Sequence, residues 1–123
     1  MTNEETVRDY FRCLDEEDWE GMRKLWTEDA GLRAVGGRPR DGREEVLGYF
    51  EKLFAPWTEH EDRPVRLIVA GDVITAEVLF LGTTADGREV RFEAVDLFDL
   101  RDGKIARMSN WYDIAYARKA LGV

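Results

Sequence analysis

The feature that most constrains the fold is a set of three glycine-containing turns in the second half of the chain. The tripeptides AGD at 70–72, ADG at 85–87 and RDG at 101–103 separate segments in which apolar and polar residues alternate. An alternation with period two is typical of β-strands, and Asp-Gly between two such runs is typical of hairpin turns. The pattern predicts four antiparallel strands, roughly 63–70, 73–83, 88–100 and 104–112.

The first half of the chain has helical periodicity instead. Thr2 and Glu5 match a capping box, and the apolar residues that follow recur at helical spacing, which predicts a first helix over residues 3–16. Asp18 is a candidate cap for a second helix. The predicted buried stripe of that second helix is Trp19, Met22, Leu25 and Trp26.

A third helix completes the predicted order of elements. It is expected to begin at the cap Asp41 and to end at Pro56, after a short extended segment over residues 31–35. The chain is therefore predicted to be α+β: three N-terminal helices packed on a strongly curved antiparallel four-stranded sheet, with a short extra strand, forming a conical cavity. Residues 1–123 are expected to form a single domain.

Composition excludes several classes of partner. With 44% hydrophobic residues a core can form, and the 18 basic against 26 acidic residues give a net charge of −8 without a basic stripe. Nucleic acid and an anionic membrane surface are therefore not expected as partners. No apolar run is long enough to span a bilayer and the N-terminus lacks a signal-peptide pattern, so the expected location is the cytoplasm.

Metal and cofactor sites are not expected. Cys13 is the single cysteine and His60 the single histidine, so there is no Cys/His ligand cluster. His60 lies in the polar segment TEHEDRP, and we interpret it as a solvated loop residue rather than as a catalytic base.

One carboxylate stands out on the third predicted strand. Every second residue of that strand is apolar except Asp96, which would share a face with Phe92, Ala94, Phe98 and Leu100. A buried carboxylate is costly unless a partner stabilises it or it keeps its proton. Asp96 is therefore the first candidate for a functional residue.

In this order, the motifs resemble the nuclear transport factor two-like superfamily, in particular its SnoaL-like and ketosteroid isomerase-like branches. VRDYFRCLDEEDWEGMRKLWTEDA is similar to the family's helical hairpin, RPRDGREEVLGYFEKLF to its third helix and VDLFDLRDGKIARMSNWYD to its closing hairpin. The superfamily hosts isomerases, hydrolases, cyclases, dehydratases and binders, so the resemblance does not fix an activity.

The resemblance implies roles for individual residues. Tyr10 and Asp96 fall on the two ketosteroid isomerase positions that donate hydrogen bonds to a developing enolate oxygen. The position of that family's general base carries Ala34, so the usual proton acceptor is missing. The catalytic constellation of limonene epoxide hydrolase is not retained in this chain. The five matching positions are Leu32, Ala34, Glu77, Leu79 and Asn110.

The orientation of the second predicted strand decides whether Glu77 can act. The family register turns Thr75, Glu77, Leu79 and Leu81 toward the cavity. The opposite face is also apolar (Ile74, Ala76, Val78 and Phe80), which predicts a homodimer through this outer sheet face. The alternative is that Glu77 faces solvent or a subunit boundary and pairs with an arginine.

The last strand and the aromatic residues supply the remaining candidates. Asn110 is expected to face the cavity, where it orients a substrate carbonyl or satisfies Asp96. Asp113 resembles the acid that ends this strand in SnoaL-like cyclases, although strict alternation turns it outward. The expected substrate contacts are Asn110, Tyr112, Trp26, Ala34, Phe50, Phe54, Trp57, Phe92, Phe98 and Met108.

Three functions follow from these residues. The first is an enzyme without metal or organic cofactor that acts on a hydrophobic cyclic carbonyl compound by enolate-type proton transfer, with Tyr10, Asp96, Glu77 and Asp113 as candidate catalytic groups. The second is a binder of a lipophilic small molecule, which the apolar Ala34 favours. The third is an association domain whose cavity has no function.

Overall fold

The computed structural model describes residues 1–123 and shows an α+β fold with a curved six-stranded sheet. The helices are α1 (Asn3–Glu16), α2 (Trp19–Arg23), α3 (Arg43–Phe54) and α4 (Ile114–Leu121). The strands are β1 (Trp26–Ala34), β2 (Arg40–Asp41), β3 (Glu59–Ala70), β4 (Val73–Thr83), β5 (Glu89–Arg101) and β6 (Lys104–Tyr112). None of the helices has the length and hydrophobicity that crossing a bilayer would require.

The predicted first helix and the three hairpin turns are confirmed. Thr2 and Glu5 form the capping box of α1. The turn glycines Gly71, Gly87 and Gly103 have φ values of 64°, 83° and 78°, a backbone region that glycine adopts without a steric cost. These turns set the β3, β4, β5 and β6 meander.

The sheet has six strands where four and a short extra strand were predicted, and the difference lies before α3. α2 ends at Arg23, so Leu25 and Trp26 do not continue it. Trp26 instead begins β1, which pairs in parallel with β6, for example Leu32 with Met108. The helical spacing of these residues could not reveal a pairing with a strand about 75 residues away.

The sheet order β2-β1-β6-β5-β4-β3 places α1 and α3 over one face of the sheet. An aromatic cluster joins them there: the Tyr10 ring lies 5.9 Å from the Phe50 ring and 5.1 Å from the Phe98 ring, between ring centres. This face is the interior of the molecule.

The orientation predicted for β4 is wrong. Ala76 pairs with Asp96 and Phe80 with Phe92, and cross-strand partners share a face, so the even-numbered residues of β4 face the interior. Thr75, Glu77, Leu79 and Leu81 therefore lie on the outer face. Because both faces of this strand are apolar, its pattern did not define which face is buried, and a one-residue shift reverses every side chain.

Candidate active site

Asp96 lies on the interior face of β5, as predicted, and is 1% exposed. The side-chain amide of Asn110 on β6 donates a hydrogen bond to its Oδ1. Burial raises the pKa of Asp96 to about 7, and the bond from Asn110 opposes that shift. The carboxyl thus exchanges its proton near neutral pH, which suits a group that donates a hydrogen bond or moves a proton.

This shift predicts a pH-dependent stability. The folded-state pKa of Asp96, about 7, lies above the ordinary 3.8, so its contribution to the free energy of unfolding falls as pH rises from about 4 to 7. Asp96→Asn removes this dependence, so we expect the variant to be more stable than wild type at pH 8, by up to about 4 kcal/mol, with little gain at pH 4. Urea unfolding at the two pH values measures the difference. Asp99→Asn, on the outer face of β5, is the control. If Asp96→Asn gained the same stability at both pH values, the raised pKa of Asp96 would be contradicted.

Tyr10 lies on α1 and is 1% exposed. Burial, and then the charge of Asp96, raises the pKa of its hydroxyl well above the ordinary value. The hydroxyl therefore stays protonated and can act as a hydrogen-bond donor. Tyr10 and Asp96, the two residues that the resemblance selected, are both buried.

A cavity of about 70 Å³ lies beside Asn110, between the sheet, α3 and α4. Five of the predicted contacts line it: Phe54, Trp57, Phe92, Asn110 and Tyr112. Ligand sites in proteins commonly enclose roughly 300–1,000 Å³. Any ligand of more than a few heavy atoms must therefore displace part of the wall, to which α4 contributes Ala117 and Leu121.

The other five predicted contacts do not line this cavity. They are core residues no more than 5% exposed, namely Trp26, Ala34, Phe50, Phe98 and Met108. Their spacing correctly indicated burial, but spacing cannot distinguish a side chain packed against protein from one that borders an empty volume.

None of the four predicted catalytic residues lines the cavity. Tyr10 and Asp96 are buried, and Asp96 is joined to the cavity wall through its hydrogen bond from Asn110. Glu77 and Asp113 lie farther out. Glu77 is on the outer face of β4 and forms an ion pair with Arg66, which is the alternative that the sequence left open. Asp113 is exposed, and its carboxylate accepts a hydrogen bond from the Tyr116 backbone N–H at the start of α4. Asp113 is thus a helix cap, a role that favours aspartate without any catalytic function.

A different acid, Asp62 on β3, lines the cavity. The residue is partly exposed, but its Oδ1 is buried and has no hydrogen-bond partner. Burial raises the pKa of Asp62 well above the ordinary value, and the charges of Asp96, Asp15 and Glu61 raise it further.

Sequence reasoning missed Asp62 because the strand was predicted to start at residue 63. β3 extends back to Glu59 because β4 continues to Thr83 and the two residues pair. Matching the length of β3 to that of β4 was the available signal, since the polar TEHEDRP segment has no apolar alternation. A bulge at Val65 shifts the alternation of β3 by one residue. Asp62 before the bulge and Leu67 after it therefore both face inward.

The interpretation of His60 as a solvated loop residue is wrong. It lies on β3 with its side chain 3% exposed, and the imidazole stacks on Phe54 at 4.4 Å between ring centres. Nε2 lies 3.1 Å from the Glu17 carboxylate, whereas Nδ1 is buried without a partner. The paired carboxylate and the aromatic contact explain a buried histidine that the local polarity of the sequence concealed.

One group of side chains is close enough to hold a cation. A ligand-type atom from each of Asp15, His60 and Asp62 lies within 4.8 Å of the others. Asp15 already accepts a hydrogen bond from the Asp62 backbone N–H at 2.8 Å, so this carboxylate has a structural role. The group combines one carboxylate from α1 with an imidazole and a carboxylate from β3, and the sequence alone did not show that these two elements meet.

The chain is similar in sequence to known proteins. A family model described as SnoaL-like domain matches residues 7–108. Rho guanine nucleotide exchange factor 9 from Bos taurus is 27% identical over 113 residues, 85% of this chain, and this chain spans 19% of that protein's length.

Two solved structures share the fold. One is an NTF2-like protein of unknown function from Burkholderia pseudomallei K96243, with a TM-score of 0.90, 18% identity and 98% of both chains covered. The other is IdmH from Streptomyces antibioticus, described as a proposed polyketide cyclase, with a TM-score of 0.88, 22% identity and 100% of both chains covered. At these identities the likeness establishes the fold and leaves the reaction to the residues of this chain.

Proposed function

Because the chain belongs to the SnoaL-like domain family, we propose that it is a small-molecule enzyme acting on a hydrophobic carbonyl compound by enolate-type proton transfer. Tyr10 and Asp96 hold the developing enolate oxygen, and Asn110 orients Asp96. The reaction is an isomerisation, a cyclisation or a dehydration, which share this intermediate. The chemistry of these side chains requires no organic cofactor.

The observation that carries the proposal is the buried Asp96–Asn110 pair beside an aromatic cavity. A carboxyl whose pKa burial raises to about 7 is protonated for part of the time at neutral pH, so it can donate to an oxyanion. The hydroxyl of Tyr10 is a second donor that does not ionise at this pH.

The walls of the cavity indicate the class of ligand. The Phe92 ring stacks with Phe80 at 4.7 Å and with Tyr112 at 5.1 Å, between ring centres, and Trp57 lies 4.9 Å from Phe80. These flat apolar surfaces fit a cyclic or aromatic compound. Two buried carboxyls nearby disfavour an anion, so the ligand is uncharged and has a carbonyl oxygen for the donor pair.

Deuterium exchange tests the proposal without knowledge of the natural substrate. A cyclic ketone that forms an enolate in the site exchanges its α-hydrogens in deuterated water, which NMR detects. We expect the protein to accelerate exchange in cyclohexanone or α-tetralone, and to bind phenol or α-naphthol as planar mimics of the enols.

Binding without catalysis is the second candidate function. It is favoured by Ala34 at the position of the usual base and by the placement of Glu77 and Asp113 outside the cavity. One outcome is that the phenols bind in a way that depends on Asp96 while no ketone tested exchanges its α-hydrogens. That result would support the binding function and contradict the enzymatic one.

We further propose that residues 1–123 act as one domain that forms a homodimer through the outer sheet face. This face carries exposed Val65, Ile68, Val95 and Trp111, next to the Arg66–Glu77 ion pair. Exposed apolar residues of this kind are typical of protein interfaces. Val78 and Phe80, which the sequence assigned to this interface, are core residues.

Trp111→Glu is expected to convert the dimer into a monomer, because it places a charge among the exposed apolar residues of this face. Sedimentation velocity measures the change. Trp111→Phe, which keeps an aromatic ring, is the matched control and should leave the assembly intact. Equal sedimentation of wild type and Trp111→Glu would contradict a dimer through this face.

A further inference from the structure

The proposed reaction lacks a proton acceptor once Glu77 and Asp113 are placed outside the cavity. A base has to reach the ligand, so its oxygen must border the cavity and keep a free lone pair. Asp62 is the acidic residue that lines the cavity, and its Oδ1 accepts no hydrogen bond.

We propose that Asp62 is the general base of this site and takes the place of the acid that is missing at Ala34. The inference rests on the proposed function and adds a catalytic residue to it. Asp62 reaches the site from β3, whereas Asp96 reaches it from β5, two strands away in the sheet.

The surroundings of the two acids differ in a way that separates their roles. Asp96 already accepts a hydrogen bond from the Asn110 amide. Asp62 is held through its backbone, which pairs with Phe80 and whose N–H donates to Asp15 at 2.8 Å, so its side-chain Oδ1 stays free of hydrogen bonds. Two carboxyls in different environments are the usual basis for dividing proton transfer from oxyanion stabilisation.

The step balances with these groups alone. The Asp62 carboxylate takes a proton from the carbon beside the carbonyl; the C–H bond breaks, an O–H bond forms on Asp62, and the electron pair passes through the new C=C bond to the carbonyl oxygen. Tyr10 and Asp96 donate hydrogen bonds to that oxygen. Asp62 then returns the proton to carbon, so the enzyme ends in its starting state and no oxidant or reductant is needed.

Burial raises the pKa of Asp62 well above the ordinary value, and neighbouring charges, that of Asp96 first, raise it further. The titratable groups around it are Asp15 and Tyr10 from α1, His60 and Glu61 from β3, Asp96 from β5 and Tyr112 from β6. The charge of Asp96 disfavours ionisation of Asp62, so the form that catalyses exchange is the one in which Asp62 is ionised and Asp96 keeps its proton.

The test compares exchange with binding in the same variants. We expect Asp62→Asn to lower α-deuterium exchange in cyclohexanone or α-tetralone by about 10²–10⁴-fold. The same variant should bind phenol or α-naphthol at least as well as wild type by calorimetry, because the donor pair is intact. Asp96→Ala should weaken both properties, and Asp62→Glu should retain part of the exchange.

Asp99→Asn is the control, since Asp99 is also a strand carboxylate but faces outward on β5 and pairs with Arg107 on the surface. Wild-type exchange in Asp62→Asn, with Asp96→Ala inactive, would overturn the assignment of Asp62 and leave the proposed function standing. Absence of exchange in the wild type, with Asp96-dependent phenol binding, would overturn both. Loss of exchange with EDTA and recovery with Mn²⁺ or Zn²⁺ would overturn the base and identify Asp62 as a ligand of a cation held with Asp15 and His60.

Discussion

Asp96→Ala is expected to lower the rate of α-deuterium exchange in a cyclic ketone by about 10²–10³-fold, the usual effect of removing one oxyanion donor. The loss follows from its position, since Asp96 is 1% exposed and accepts a hydrogen bond from Asn110 at the cavity wall. Tyr10→Phe removes the second donor without removing a ring from the aromatic cluster, so it should lower exchange as well while the fold is retained.

The measurement is the NMR exchange rate at fixed protein concentration, together with circular dichroism to establish that each variant is folded. Asp99→Ala is the matched control, because Asp99 is on the same strand but faces outward and pairs with Arg107. Full exchange activity in both Asp96→Ala and Tyr10→Phe would show that the donor pair has no part in the reaction.

Phe98→Ala is expected to be the most destabilising of the aromatic substitutions, lowering the free energy of unfolding by about 3–5 kcal/mol. Phe98 is fully buried and its ring contacts both Tyr10 and Phe11, at 5.1 Å and 6.0 Å between ring centres. Truncation leaves an empty volume between α1 and β5 that the surrounding side chains cannot fill.

Phe92→Ala is the informative comparison, since Phe92 lies on the same strand face but is only partly buried and borders the cavity. It should cost less stability than Phe98→Ala and enlarge the space available to a ligand. Urea unfolding measures both variants. Equal losses would contradict the division between the packed core and the cavity wall.

The sequence determined the elements that depend on local chemistry. The capping box of α1, the three glycine turns and the bounds of β4 and β6 could be predicted because each depends on neighbouring residues. The inward placement of Asp96 could also be predicted, because its strand alternates between one apolar and one more polar face. That of Asn110 followed from the register that the family resemblance implied.

The tertiary structure decided which groups meet in the site. The orientation of β4 was open because both of its faces are apolar, so only pairing with β5 placed Glu77 outside. Pairing with β4 extended β3 back to Glu59, and the bulge at Val65 allowed Asp62 to face inward together with Leu67. Local periodicity carries no information about the length of a distant partner strand or the position of a bulge, so the second acid of the cavity is visible only in the folded chain.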